Sequence, residues 1–139
     1  MPMEVTERDA LAIERGHPPE ASRVICVDFD GVLYPFGMLM DSPDPIPGAF
    51  RALRRLKRAG YRIVILTSRL SARWLTQSGH DAEEQRAYIE GLLRRDGIPF
   101  DVITSEKVPA EFYVDDRAIR FTGDWTAVTD FVLFSRDDS

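Results

Sequence analysis

The chain has 139 residues, a formal net charge of −5, and 44% hydrophobic against 29% charged residues. Those figures suit one globular domain around a single core. They exclude a membrane-spanning helix, since no apolar run nears the roughly 20 residues a bilayer requires, and they weigh mildly against unaided nucleic-acid binding. Glu4, Glu7, Arg8 and Asp9 stand where a secretory leader would be apolar, so no leader is expected. Cys26 is the only cysteine. It reads as a small buried hydrophobe kept reduced, and it predicts a cytoplasmic protein.

In chain order, residues 1–21 are expected to form an arm outside the core, and residues 22–139 the core itself. Thr6 can cap a short helix reaching Arg15, which Gly16, Pro18 and Pro19 would end. The first strand is expected over residues 23–28. Residues 32–47 hold Pro35, Gly37, Pro43, Pro45 and Pro47, which suit an irregular flap or small hairpin. A helix from about Pro47 to Ala59 would carry Phe50, Leu53 and Leu56 on one stripe and end at Gly60. The second strand is Arg62 to Leu66. The next helix, about Asp81 to Asp96, turns Tyr88, Ile89, Leu92 and Leu93 inward. Short strands follow around Asp101 to Ile103 and Phe112 to Val114. At the end, Trp125, Val128, Phe131 and Val132 favour a closing helix capped by Asp124, with an edge strand over Phe131 to Phe134 as the other solution. Alternating strands and helices predict an α/β fold with a three-layer, Rossmann-like, mostly parallel sheet.

Chemistry gathers at the strand ends. Val24-Ile25-Cys26-Val27 runs straight into Asp28-Phe29-Asp30-Gly31. Residues two apart on an extended chain point the same way, so both carboxylates would leave the strand together where open α/β sheets place ligands. Two like charges so close need a cation or a shared proton. An Asp-rich turn would explain the segment if it stood alone. The second strand ends in Leu66-Thr67-Ser68-Arg69, where hydroxyls and free N–H groups suit a phosphoryl oxygen. Lys107 follows the third strand in a chain that has only one other lysine, Lys57, which looks like an ordinary helix-surface residue. A compact ammonium there suggests a phosphate contact. The fourth strand ends in Tyr113-Val114-Asp115-Asp116-Arg117, a second carboxylate pair. A solvated turn explains one such pair but not the whole series.

VDFDGVL, then LTSR, then Lys107, then YVDDR, in that order, resembles the haloacid dehalogenase superfamily of phosphohydrolases over about residues 23–123. LTSR followed by a DDR element is similar to polynucleotide kinase 3′-phosphatase domains and small phage-type hydrolases. The resemblance implies a Mg²⁺-dependent phosphomonoesterase working through an aspartyl phosphate. Asp28 would be the nucleophile, and Asp30 the general acid and then base, with its backbone carbonyl on the metal. Thr67, Ser68 and Lys107 would hold the phosphoryl group. Asp28, Asp30, Asp115 and Asp116 would form the metal site, with Asp115 as the direct ligand and Asp116 as its alternative or supporting partner. With only residues 32–47 at one insertion point and a helix-sized segment at the other, no large cap domain is expected. An open site of that kind suits a phosphate on something large, such as a nucleotide or nucleic-acid end, without excluding small molecules.

Arg69 and Arg73 lie just beyond the second strand, where they could contact a substrate. Arg51, Arg54, Arg55 and Arg58 read as a solvated helix face, Trp74 and Trp125 as packing anchors, and His17 and His80 as surface or capping residues. No membrane partner is expected, and a homo-oligomer is open. A non-catalytic phosphate- or metal-binding module on the same fold is the competing reading. A receiver-like phosphoacceptor uses similar residues in a different order.

Overall fold

The computed structural model describes residues 19–37 and 42–137. The expected helix near Thr6, along with His17, lies outside the described residues. Four strands make one all-parallel sheet: β1 (Val24–Asp28), β2 (Arg62–Leu66), β3 (Val102–Thr104) and β4 (Phe112–Val114), in the spatial order β3-β2-β1-β4. Asp28 pairs with Leu66, and Val27 with Val114, so the carboxyl ends of β1, β2 and β4 lie side by side. The helices are α1 (Ala49–Arg58), α2 (Ala72–Ser78), α3 (Ala82–Arg95) and α4 (Trp125–Asp137). The expected α/β, Rossmann-like plan is therefore present. No large cap interrupts the described residues, and none of their helices is long and apolar enough to cross a membrane.

Period-two alternation sorts the strand residues between two faces. One face carries Ile25, Val27, Ile63, Ile65 and Ile103, packed against Leu53 of α1 and Ile89, Leu92 and Leu93 of α3. The other face carries Cys26 and Val64, covered by Val108 and Ala110 of the connection from β3 to β4. Both edges of α3 are well specified. The Asp81 side chain accepts from the Glu84 N–H at 3.2 Å, and Arg94 and Arg95 occupy the last turn, where cations suit the helix dipole.

Several details differ from the sequence-based expectation. α2 is a helix that no periodicity announced: Ser71 caps it by accepting from Trp74 N–H, but its seven residues bury no stripe. β3 sits one residue later than expected. Phe50 lies at the rim of α1, 36% exposed, with Arg54 over its ring, because α1 is amphipathic enough to bury only Ala49 and Leu53 fully. Lys57 is an exposed helix-surface lysine, as expected, with a partner. It pairs with Asp101 at 2.6 Å, and that carboxylate also accepts the Ile63 N–H. The C-terminus is a helix, with Asp124 accepting from Ala127 N–H. It does not close the core, and Trp125 is no packing anchor at 71% exposure.

The segment after β1 is fastened at both ends. Tyr34 donates to Asp96 at 2.7 Å, Arg95 donates to the Pro43 carbonyl, and Ile46 N–H donates to the Leu33 carbonyl at 2.8 Å. All three bonds tie Leu33, Tyr34, Pro43 and Ile46 to one another or to the end of α3.

Candidate functional site

The parallel register brings three of the expected residues together at the carboxyl ends of the strands. Asp28 closes β1, and Asp115 and Asp116 follow β4, the strand beside it. One carboxylate oxygen from each of these three lies within 4.8 Å of the other two. The trio is open, with Asp28 half-buried and Asp115 and Asp116 exposed. Burial pushes the Asp28 carboxyl up to about 6. The Phe29 N–H, donating to its Oδ1 at 2.9 Å, opposes that rise, and the charges of Asp115, Asp116 and Asp30 add to it. Oxygen donors at this spacing, each repelled by the others, could share a hard cation.

Gly31 makes the crowding feasible. Its φ of +83° is a left-handed conformation, and a Cβ placed there would lie 2.5 Å from Asp116 Oδ2. Only glycine allows both the turn after β1 and the approach of Asp116 to it. Asp115 is fixed differently: its Oδ1 accepts from the Arg117 N–H at 2.7 Å.

Asp30 is not one of the three, and its carboxylate is bound by Arg69 while its charge still acts on Asp28. Arg69 donates to it through both Nε, at 2.9 Å to Oδ2, and Nη2, at 2.8 Å to Oδ1. Such a fork fixes a carboxylate in direction as well as distance. The Arg69 guanidinium is itself buried, lying 5.7 Å from the ring centres of both Phe29 and Tyr88. Arg69 is thus a partner of Asp30, where sequence reasoning foresaw only a substrate contact. An arginine three residues past a strand end, beside a strand ending in two acids, is the signal that could have found the pair. A cavity of about 230 Å³ is lined by Asp30, Arg69, Phe29, Tyr34 and Tyr88.

Thr67 is buried, one residue past Leu66, the register partner of Asp28. Its Oγ1 accepts from the Arg69 N–H at 3.2 Å, so its hydroxyl hydrogen is still available to donate. Ser68 is exposed at the start of the same turn. Lys107 lies over the Tyr113 ring, 4.8 Å from its centre. With Asp28 and Asp115 it lines a groove of about 990 Å³ whose walls also include β4, Ile119 and Phe121. Arg73 is exposed on α2 and lines neither cavity. His80 stacks on Trp74, with ring centres 5.6 Å apart, and takes no part in the site.

No family model matches the chain, and no curated protein does. Two solved structures resemble it. A conserved protein from Bacteroides thetaiotaomicron is 21% identical with a TM-score of 0.49, the match covering 81% of this chain and 90% of that one. A structural-genomics target from Vibrio cholerae is 24% identical with a TM-score of 0.45, over 82% and 98% of the two chains. The class of protein is defined by the fold and site together: a Rossmann-like α/β domain with an acidic centre at the carboxyl edge of its sheet.

Proposed function

We propose that the protein is a Mg²⁺-dependent phosphomonoesterase of the haloacid dehalogenase type, acting in the cytoplasm through an aspartyl phosphate on Asp28. The observation that carries this reading is the meeting of Asp28, Asp115 and Asp116 within 4.8 Å, with Lys107 lining the same groove as Asp28 and Asp115. Three carboxylates repel a phosphate dianion, so substrate can enter only if cations offset them. The all-oxygen donor set fits Mg²⁺ in chemistry, with Asp28, Asp115 and Asp116 as side-chain ligands. When bound, the ion would neutralise charge between the carboxylates and the phosphoryl oxygens.

Asp28 Oδ1 already accepts the Phe29 N–H, which leaves Oδ2 to attack phosphorus. The bond from phosphorus to the leaving oxygen breaks as the new bond forms, and Asp30 supplies the proton that oxygen needs. Water then attacks the phosphoryl group, Asp30 takes its proton, and inorganic phosphate leaves with Asp28 restored. Lys107 and the Thr67 hydroxyl would hold phosphoryl oxygens throughout. Each Asp30 oxygen accepts one N–H from Arg69 and keeps a second lone pair for this work.

The same fork favours a second reading, a non-catalytic phosphate- or cation-binding module in which Arg69 holds Asp30 out of action. A panel of substrates separates the two: an aryl phosphate, a sugar phosphate, and 3′- and 5′-phosphorylated oligonucleotides, each with and without Mg²⁺. The enzyme reading expects Mg²⁺-dependent phosphate release that Asp28→Asn abolishes while the fold persists. It also expects Asp30→Asn to lose about 10²–10⁴-fold on the sugar phosphate and far less on the aryl phosphate, whose leaving group needs no proton. No release from any substrate, or near-normal turnover by Asp28→Asn, overturns it.

A further inference from the structure

Among the described residues, the C-terminal helix and the sheet each leave an apolar surface uncovered. From Trp125 to Arg136 every residue of α4 is exposed except half-buried Val128. Phe131, Leu133 and Phe134 are 62%, 55% and 65% exposed. The run from Phe131 to Phe134 puts apolar side chains around one whole turn, a pattern that belongs to a buried helix. On the sheet, β4 is an edge strand whose three residues are all exposed, and the groove beside it reaches down to Cys26 and Leu66. An open edge with apolar side chains is a surface that proteins normally cover.

We propose that a second copy of this chain covers it: α4 of each copy lies in the β4 groove of the other, giving a two-fold exchanged dimer. The area argues for this occupant. The exposed apolar side chains of β4, Ile119, Phe121 and α4 present on the order of 1,000 Å² per copy, against about 800 Å² per partner in an ordinary stable interface and 300–600 Å² for the largest patch on a typical monomer. The symmetry argues for it too. One chain carries both the helix that lacks a groove and the groove that lacks a helix, so reciprocal exchange satisfies both at once and closes. Asp28, Lys107 and Asp115 line the same groove. A seated partner helix would lie beside them, so each acidic centre would be bordered by the other chain. The dimer is independent of whether the centre is catalytic.

Light scattering on the full chain after size-exclusion chromatography tests the proposal at micromolar concentration. The expected mass is twice that of the chain, and a monomer overturns the proposal. Leu133→Glu on the helix and Ile119→Glu in the groove should each halve the mass with an unchanged far-ultraviolet spectrum, since neither side chain enters the core. A dimer that survives both, or that only the helix variant dissolves, overturns the groove as the docking site. Should either charged variant fail to fold, mixed Ile119→Cys and Leu133→Cys chains give the answer with a bifunctional thiol cross-linker. Covalent pairing of unlike chains above the level of like pairs supports the exchange, and its absence overturns it.

Discussion

Arg69 holds Asp30 by two parallel hydrogen bonds of 2.9 and 2.8 Å, and the side chains are only 7% and 16% exposed. Removing one member of such a pair leaves the other buried and unpaired, which typically costs about 3–5 kcal/mol. Arg69→Met should therefore lower unfolding free energy by about 3 kcal/mol. Adding Asp30→Asn should recover part of that loss, because the stranded charge is gone. Urea unfolding of the four species closes the cycle, and strictly additive losses would mean that the two side chains are not coupled.

The raised carboxyl of Asp28 gives a signed dependence on pH. Its folded value of about 6 lies above the ordinary 3.8, so the folded state holds the Asp28 proton more tightly than the unfolded chain does. That stabilisation is complete below the ordinary value and is lost as pH rises through about 6. Asp28→Asn cannot ionise and escapes the loss. In chelator-treated buffer the variant should gain on wild type as pH is raised from about 4 to about 7, then hold a constant lead. Denaturant midpoints across that range check it, and a pH-independent difference would remove Asp28 as the strained group.

Cation binding should depend on Gly31 as well as on the carboxylates. Gly31→Ala must shift either the turn or Asp116, whose Oδ2 lies 2.5 Å from the new methyl position. Calorimetric Mg²⁺ titration should show about tenfold weaker binding in Gly31→Ala, equivalent to about 1.4 kcal/mol. Asp115→Ala should weaken binding further, whereas Lys107→Ala should leave it nearly unchanged, since an ammonium meets phosphate and not the ion. If Asp116→Ala is the more damaging member of the pair, the direct ligand is Asp116.

Gln85 is fully buried in α3, and neither amide atom has a hydrogen-bond partner among the described residues. A buried amide left unsatisfied costs about 1–3 kcal/mol. Gln85→Met, similar in volume and without that cost, should raise stability by about 1 kcal/mol. A loss of stability on urea unfolding would mean that the amide is solvated or bonded after all.

What could be read from the sequence follows the physics of each segment. β2 and β4 were legible to the residue because apolar β-branched or aromatic runs stop abruptly at polar strand ends. α3 was legible from its cap and its Ile89, Leu92, Leu93 stripe, all of which are buried. The meeting of Asp28 with Asp115 and Asp116 was legible because parallel neighbours deliver their carboxyl ends to one edge. The Arg69 fork was not. A guanidinium can reach several directions from a turn, and only the packing of Phe29 and Tyr88 selects the one toward Asp30. Nor was the exposure of α4, since an apolar stripe on a helix shows that something must cover it without showing what.

The fastening of Tyr34 and Pro43 to the last two residues around the end of α3 has a consequence for how this domain can change. A connection whose two ends are already held together has its closure entropy settled, and lengthening it adds only about 0.6 kcal/mol per doubling. Extra residues placed between Gly37 and Ser42 would thus extend from a fixed base while the sheet, its register and its acidic edge stayed as they are.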